Sequence, residues 1–144
     1  LGAPYQAAIL LASAIKDKKL SQNAKNYQQL AQYWQISREY NKAQKSWGKS
    51  ANLSGNGQHY LIQAQLLQLL GKYNKMLTVL ASIKSDNKTF QEKVELTKIQ
   101  TLYALTKYQA AKKIANQLVN STTNKDKAVQ WIKVLDSRIE NASI

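Results

Sequence analysis

Tyr5, Tyr40, Tyr73 and Tyr108 recur at steps of 35, 33 and 35 residues. A period held along a whole chain constrains the fold more than any single motif, because each repeat must be one structural unit stacked on the next. The surrounding text repeats as well. Ala8, Ala43, Met76 and Ala111 stand three residues after each tyrosine, and Ala12, Trp47, Leu80 and Ala115 stand seven after. Spacings of three and seven place these residues on one face of a helix. Tyr5-Gln6-Ala7-Ala8 is repeated as Tyr108-Gln109-Ala110-Ala111, and Glu39-Tyr40-Asn41-Lys42-Ala43 is paralleled by Lys72-Tyr73-Asn74-Lys75-Met76.

A second helix precedes each of the last three tyrosines. Tyr27, Leu30, Ala31 and Trp34 have the i, i+3, i+4, i+7 spacing of an apolar face. The same offsets give Tyr60, Gln63, Ala64 and Leu67, then the weaker set Glu95, Lys98, Ile99 and Leu102. Ser54-Gly55-Asn56-Gly57, Lys84-Ser85-Asp86-Asn87-Lys88 and Asn120-Ser121-Thr122-Thr123-Asn124 are turn clusters between units. The predicted organisation is a single domain over 1–144, with a half repeat at 4–20 and full repeats at 22–54, 57–87 and 89–122. Helix pairs are predicted at 22–37 with 40–52, 57–70 with 73–84, and 89–105 with 108–120. A last helix at 125–141 carries Ala128, Trp131, Ile132, Leu135 and Ile139 on one face and reads as a cap or the first helix of a further unit.

Composition agrees with an all-α chain and removes several kinds of chemistry. One Pro and five Gly in 144 residues favour helices over a loop-rich β-sandwich. The absence of Cys excludes a disulfide scaffold and thiol-based zinc, iron–sulfur or redox sites. With His59 alone, a His pair or His-rich metal site is excluded too. No apolar run reaches the roughly 18 residues of a membrane-spanning helix. Ala7-Ala8-Ile9-Leu10-Leu11-Ala12-Ser13-Ala14 has the look of a signal-peptide core, yet it falls in phase with the repeat and is read as a mature helix. A start at Leu1 rather than Met reads as a fragment or a processed protein.

The repeat resembles the tetratricopeptide repeat (TPR). Tyr27, Leu30, Ala31, Trp34, Tyr40, Ala43, Trp47 and Ser50 fill all eight of that family's marked positions in the second unit. The family's closing Pro is replaced by Gly55 and Lys88. The resemblance implies a right-handed α-solenoid of helix-turn-helix repeats with a C-terminal capping helix, acting as a non-enzymatic protein-binding scaffold. A narrower likeness lies in Tyr40-Asn41-Lys42-Ala43, Ser54-Gly55-Asn56-Gly57, Gln65-Leu66, Gly71-Lys72-Tyr73 and Ala128-Val129-Gln130-Trp131. These motifs are similar to the C-terminal part of Gram-negative TPR proteins encoded alongside TonB, ExbB and ExbD. That likeness implies a periplasmic accessory factor of TonB-dependent uptake; the alternative compartment is the cytoplasm.

In TPR folds the first helix of each pair lines a partner-binding groove. By the register above, the second unit offers Gln28, Gln32 and Gln35, the third offers Gln58, Leu61, Gln65, Gln68 and Leu69, and the fourth offers Leu96, Gln100 and Tyr103. A Gln amide donates and accepts, so such a ladder can pair with a peptide backbone of any sequence, and the apolar members can supply anchoring area. The bland reading is that Gln is a good helix former on a polar face. The Lys and Asn carboxylate clamp of co-chaperone TPR domains is not met, because Gln32, Gln65 and Gln100 hold the amide rungs.

Little else suggests chemistry. Glu92 and Glu95 share a helical face, as an acid–base pair could, but acids near a helix start also suit its dipole. No metal and no cofactor is implied. The formal charge is +13, with only Arg38 and Arg138 among 21 basic residues being Arg. Lys42, Lys45, Lys49, Lys112 and Lys113 predict a basic outer face, read first as solvated surface and alternatively as a binder of nucleic acid or anionic lipid. Two packing expectations follow. Tyr40, Trp47, Tyr60, Tyr73 and Tyr108 should be largely buried, and Ile9, Leu10, Leu11 and Ile15 should leave an apolar face open to self-association or to upstream repeats.

Overall fold

The computed structural model describes residues 2–144; Leu1 lies outside the described residues. Eight α-helices and no strand occur among the described residues: α1 (Gly2–Lys16), α2 (Ala24–Ile36), α3 (Tyr40–Ser54), α4 (Gly57–Leu69), α5 (Tyr73–Ala81), α6 (Lys88–Ala104), α7 (Tyr108–Leu118) and α8 (Lys125–Ala142). The helices divide into two compact units at the Ile83–Lys84 bond, α1–α5 in the first and α6–α8 in the second.

The period of the sequence has a backbone cause. Helices α2, α4 and α6 all start from an asparagine whose side chain accepts from an early helix N–H: Asn23 from Asn26 N at 2.8 Å, Asn56 from Gln58 N at 2.9 Å, Asn87 from Phe90 N at 2.9 Å. Each cap satisfies one of the orphan donors of a first turn. The same helices end alike. Arg38, Gly71 and Thr106 sit in the left-handed region, at φ 60°, 68° and 58°. The next residue's N–H then reaches back five positions: Glu39 to Trp34 O, Lys72 to Leu67 O and Lys107 to Leu102 O, at 2.8–2.9 Å. This is the Schellman closure, which consumes end carbonyls and turns the chain sharply. The tyrosine that opens the next helix follows one residue later in all three cases. Only Gly71 adopts the turn without a Cβ penalty.

In the first unit, Ala8, Ile15, Tyr27, Leu30, Ala31, Trp34, Ala43, Trp47 and Leu66 form a continuous core. Ala31 and Ala43 keep their backbones close, and the rings fill what remains. Tyr5 meets Trp34 edge-on at 5.6 Å between centroids. The Trp47 indole N–H donates to Gln35 Oε1 at 3.0 Å, so the ring is buried without an orphaned donor. Between α3 and α4 the apolar contact is joined by a polar one: Gln63 Nε2 donates to the buried Gln44 Oε1 at 3.1 Å. A Cβ on Gly48 would lie 2.6 Å from Gln63 Nε2, so a side chain there would displace the Gln63 amide from its present position.

In the second unit, Val94, Ile99, Leu102, Ala111, Ala115, Leu118, Ala128 and Leu135 are buried. Lys112 Nζ and Asp136 Oδ1 pair at 2.6 Å between α7 and α8. Glu92, 7% exposed, accepts from Ser121 Oγ at 2.8 Å, Thr123 Oγ1 at 3.1 Å and Asn124 Nδ2 at 2.7 Å. One carboxylate thus ties the turn ahead of α8 to α6.

Two packing expectations are corrected. Trp47 is buried, but Tyr40, Tyr60, Tyr73 and Tyr108 are half-buried. A phenol stays bonded by keeping its tip at the surface, as Tyr60 Oη does in donating to Asn52 Oδ1 at 2.8 Å. On α1, Ile15 belongs to the core and Leu11 packs against it, while Ile9 and Leu10 are exposed, Leu10 at 71%. Helix α5 stops at Ala81, short of the predicted 84, where Ser82 and Ile83 close a turn on Val79 and Leu80. No helix among the described residues is long and apolar enough to cross a membrane.

Candidate functional site

Each unit carries a hollow between helices that begin with an Asn cap or follow the same position in the repeat. In the first unit, Gln29, Gln32, Gln35 and Ile36 of α2 face Ile62 and Gln65 of α4 across Trp47, around a volume of about 590 Å3. No charged side chain lines it. Its polar surface is four amides, each able to donate and accept; one of them, Gln35, already accepts from Trp47.

In the second unit, Leu96, Gln100 and Tyr103 of α6 face Lys127, Gln130, Trp131 and Val134 of α8 around about 510 Å3. The Tyr103 and Trp131 rings meet edge-on at 5.6 Å. Arg138 Nε donates to Tyr103 Oη at 3.0 Å, with its guanidinium 5.7 Å from the same ring. This hollow is aromatic and carries a cation at its rim.

Of the sequence-predicted groove residues, Gln32, Gln35 and Gln65 lie in the first hollow and Leu96, Gln100 and Tyr103 in the second. Gln28, Leu61, Gln68 and Leu69 line neither. Leu61 is 0% exposed and belongs to the core, a correction to its place in the groove. The cause is that α4 packs against α3 on one side and α5 on the other, so Leu61, Ala64, Leu66 and Leu67 are all buried and no single apolar stripe marks its face. Sequence reasoning missed Gln29, Ile36, Ile62 and Trp47 in the first hollow and every α8 residue in the second. Lys127, Gln130, Trp131 and Val134 carry an i, i+3, i+4, i+7 signal. Taking α8 as a further groove helix rather than a cap would have found them.

The titratable candidates serve packing. His59 Nδ1 lies 2.9 Å from Ser50 Oγ, whose hydroxyl donates to Ala24 O at 2.8 Å, so the imidazole N–H is the donor to the serine. Its ring packs edge-on against Trp47 at 5.1 Å. Burial lowers the His59 pKa below its ordinary 6.5. The Asn124 and Ser121 hydrogen bonds lower Glu92 below its ordinary 4.5, outweighing the opposing effect of burial. Glu95 accepts from Gln91 Nε2 at 3.0 Å and pairs with Lys98 at 2.8 Å. The two acids are thus engaged separately and do not form an acid–base pair. No cluster of three or more His, Cys, Asp or Glu that could hold a metal ion occurs among the described residues.

The basic outer face is partly engaged inward. Lys42 Nζ sits 4.6 Å from the Trp34 ring centroid and 3.8 Å from Glu39, Lys49 sits 5.1 Å from the Tyr27 ring, and Lys112 pairs with Asp136. Cation–π contacts of this kind hold lysines against the helices they cover.

Neither family models nor curated protein sequences match the chain. Its structure is similar to the crystal structure of MamA, a TPR-containing protein, with a TM-score of 0.62 and 13% sequence identity, over 95% of this chain and 89% of that one. The fold is all-α and TPR-like, a helical-repeat solenoid.

Proposed function

We propose that this chain is a non-enzymatic scaffold that captures a partner protein through the hollows on its groove-lining helices. The observation that carries the reading is the first hollow: an uncharged, amide-rich trough between α2 and α4, open to an extended backbone and offering no group arranged for reaction. Gln amides can match a peptide's N–H and C=O groups without regard to side chains, while Ile36 and Ile62 supply apolar contact. The setting proposed is the periplasm of a Gram-negative cell, as an accessory factor of a TonB-dependent transport complex. Support for that setting comes from the short motifs around Tyr40, Ser54, Gly71 and Ala128.

The test is a cross-linked capture from envelope extract with two baits, the chain itself and a Gln32→Ala, Gln65→Ala variant of equal helicity. The expected result is a TonB-system component captured by the first bait and depleted with the second. Equal capture by both baits would contradict the hollow as the site, and a reproducible partner from outside the envelope would contradict the setting.

A further inference from the structure

The α6–α8 hollow is built differently from the first, and its construction specifies a ligand. Its apolar surface is fixed before anything binds. The Tyr103 ring is held by Trp131 at 5.6 Å, by Tyr108 at 5.5 Å and through its hydroxyl by Arg138. A preformed aromatic surface loses little freedom on binding, so more of the contact energy survives as affinity. Gln100 of α6 and Gln130 of α8 also line the hollow, and each can donate to and accept from a peptide backbone.

The electrostatics select further. Lys127 lines the hollow and no carboxylate does. The acids closest in sequence to the lining residues of α6 are committed: Glu95 to Lys98 and Gln91, Glu92 to Ser121, Thr123 and Asn124. On α8, Asp136 is paired with Lys112, and Asp126 lies outside the lining set. Lys127 takes part in no ion pair among the described residues. Lys127 on the lining and Arg138 held against the Tyr103 ring do not make a phosphate track, which needs a run of cations along a groove. A second copy of this chain, at +13, is a poor source of the missing negative charge.

We infer that the α6–α8 hollow anchors an acidic peptide segment of a partner protein. One aromatic or long aliphatic side chain of that segment packs against Trp131 and Tyr103, and a neighbouring carboxylate pairs with Lys127. This inference rests on the scaffold reading above and adds the chemistry of the partner.

The experiment is selection of a random peptide display library against the whole chain at low salt. The recovered peptides are then titrated against the chain and against Lys127→Glu, Trp131→Ala and Gln32→Ala, Gln65→Ala variants, with circular dichroism confirming helicity. Expected are peptides in which Trp, Phe or Leu neighbours Asp or Glu, bound about tenfold or more weaker by the Lys127→Glu and Trp131→Ala variants. A peptide with Lys in place of its acid should recover binding to Lys127→Glu. That change reverses an exposed charge, so its readout does not depend on core packing. Acidic peptides that bind Lys127→Glu as well as the original chain would overturn the inference. Peptides of another composition, lost only in the Gln32, Gln65 variant, would overturn it while leaving the scaffold reading intact. An empty selection, or binding that no variant alters, would overturn both.

Discussion

The first unit closes on itself with apolar and amide contacts; the second is held by charge. In the first, ten Lys and Arg residues face only Asp17 and Glu39, and the polar links that matter are neutral: Gln44 with Gln63, Trp47 with Gln35, His59 with Ser50. In the second, eleven basic residues face six acids, and Glu92 and Asp136 tie its helices together. The hollows follow suit, one lined by amides and the other by aromatics with a lysine. One repeat template therefore supports two different surfaces. The template is set by backbone caps and turns, which leave the exposed stripes free to vary.

The comparison breaks most visibly at the two tryptophans. Trp47 is 4% exposed and Trp131 half-buried. Trp47→Ala should destabilise the first unit by about 3–5 kcal/mol, as for other buried Trp sites. Trp131→Ala should destabilise the second by less than half of that, read by urea denaturation. Equal losses would mean that the burial assigned to these rings is wrong.

The amide pair gives the next largest effect. Gln63→Ala leaves Gln44 buried without its cross-helix donor, and should lower stability by about 1–3 kcal/mol. A Gln44→Leu, Gln63→Leu double variant should recover part of this, because it removes both polar groups together. If the double variant loses the sum of the single losses, the pair is not a coupled unit.

Thr106 is a β-branched residue in the left-handed region. Thr106→Gly should raise stability by about 1 kcal/mol, and Gly71→Ala at the equivalent turn should lower it by a similar amount. A loss at Thr106→Gly would contradict the turn assigned there. The smallest effect is acidic. His59 and Glu92 both have lowered pKa values in the folded chain. An unfolded chain then binds more protons, so stability is fully present above each ordinary value and declines as pH falls below it. The contribution of His59 in the first unit begins to fade below about 6.5, and that of Glu92 in the second below about 4.5. His59→Gln and Glu92→Gln should each flatten its own limb of the pH–stability curve.

The fold was legible because the repeat acts twice, in the apolar spacing of Tyr27, Leu30, Ala31 and Trp34 and in the turn clusters that separate the units. The site was legible only in part. Gln65 and Gln100 are exposed and Gln32 half-buried, all three at a constant offset, so the register finds them. Leu61 occupies the same offset as Gln28 and Leu96, but α4 is enclosed by α3 and α5, and enclosure is a tertiary fact that a single helix's pattern does not carry. Trp131 misled in the opposite sense, since its place on the apolar face of α8 concealed that the half-buried ring borders the hollow. The Glu92 clasp joins residues some thirty positions apart in sequence, beyond the reach of local patterns.

The central claim is that partners are met at the hollows rather than on the lysine face. Its most direct test places a photo-crosslinking amino acid at Gln65, Gln100, Lys45 or Lys113 in separate variants, all exposed positions, and irradiates each in cells. Protein adducts at Gln65 and Gln100, with none at Lys45 and Lys113, are the result the account predicts. Adducts confined to Lys45 and Lys113 would contradict it.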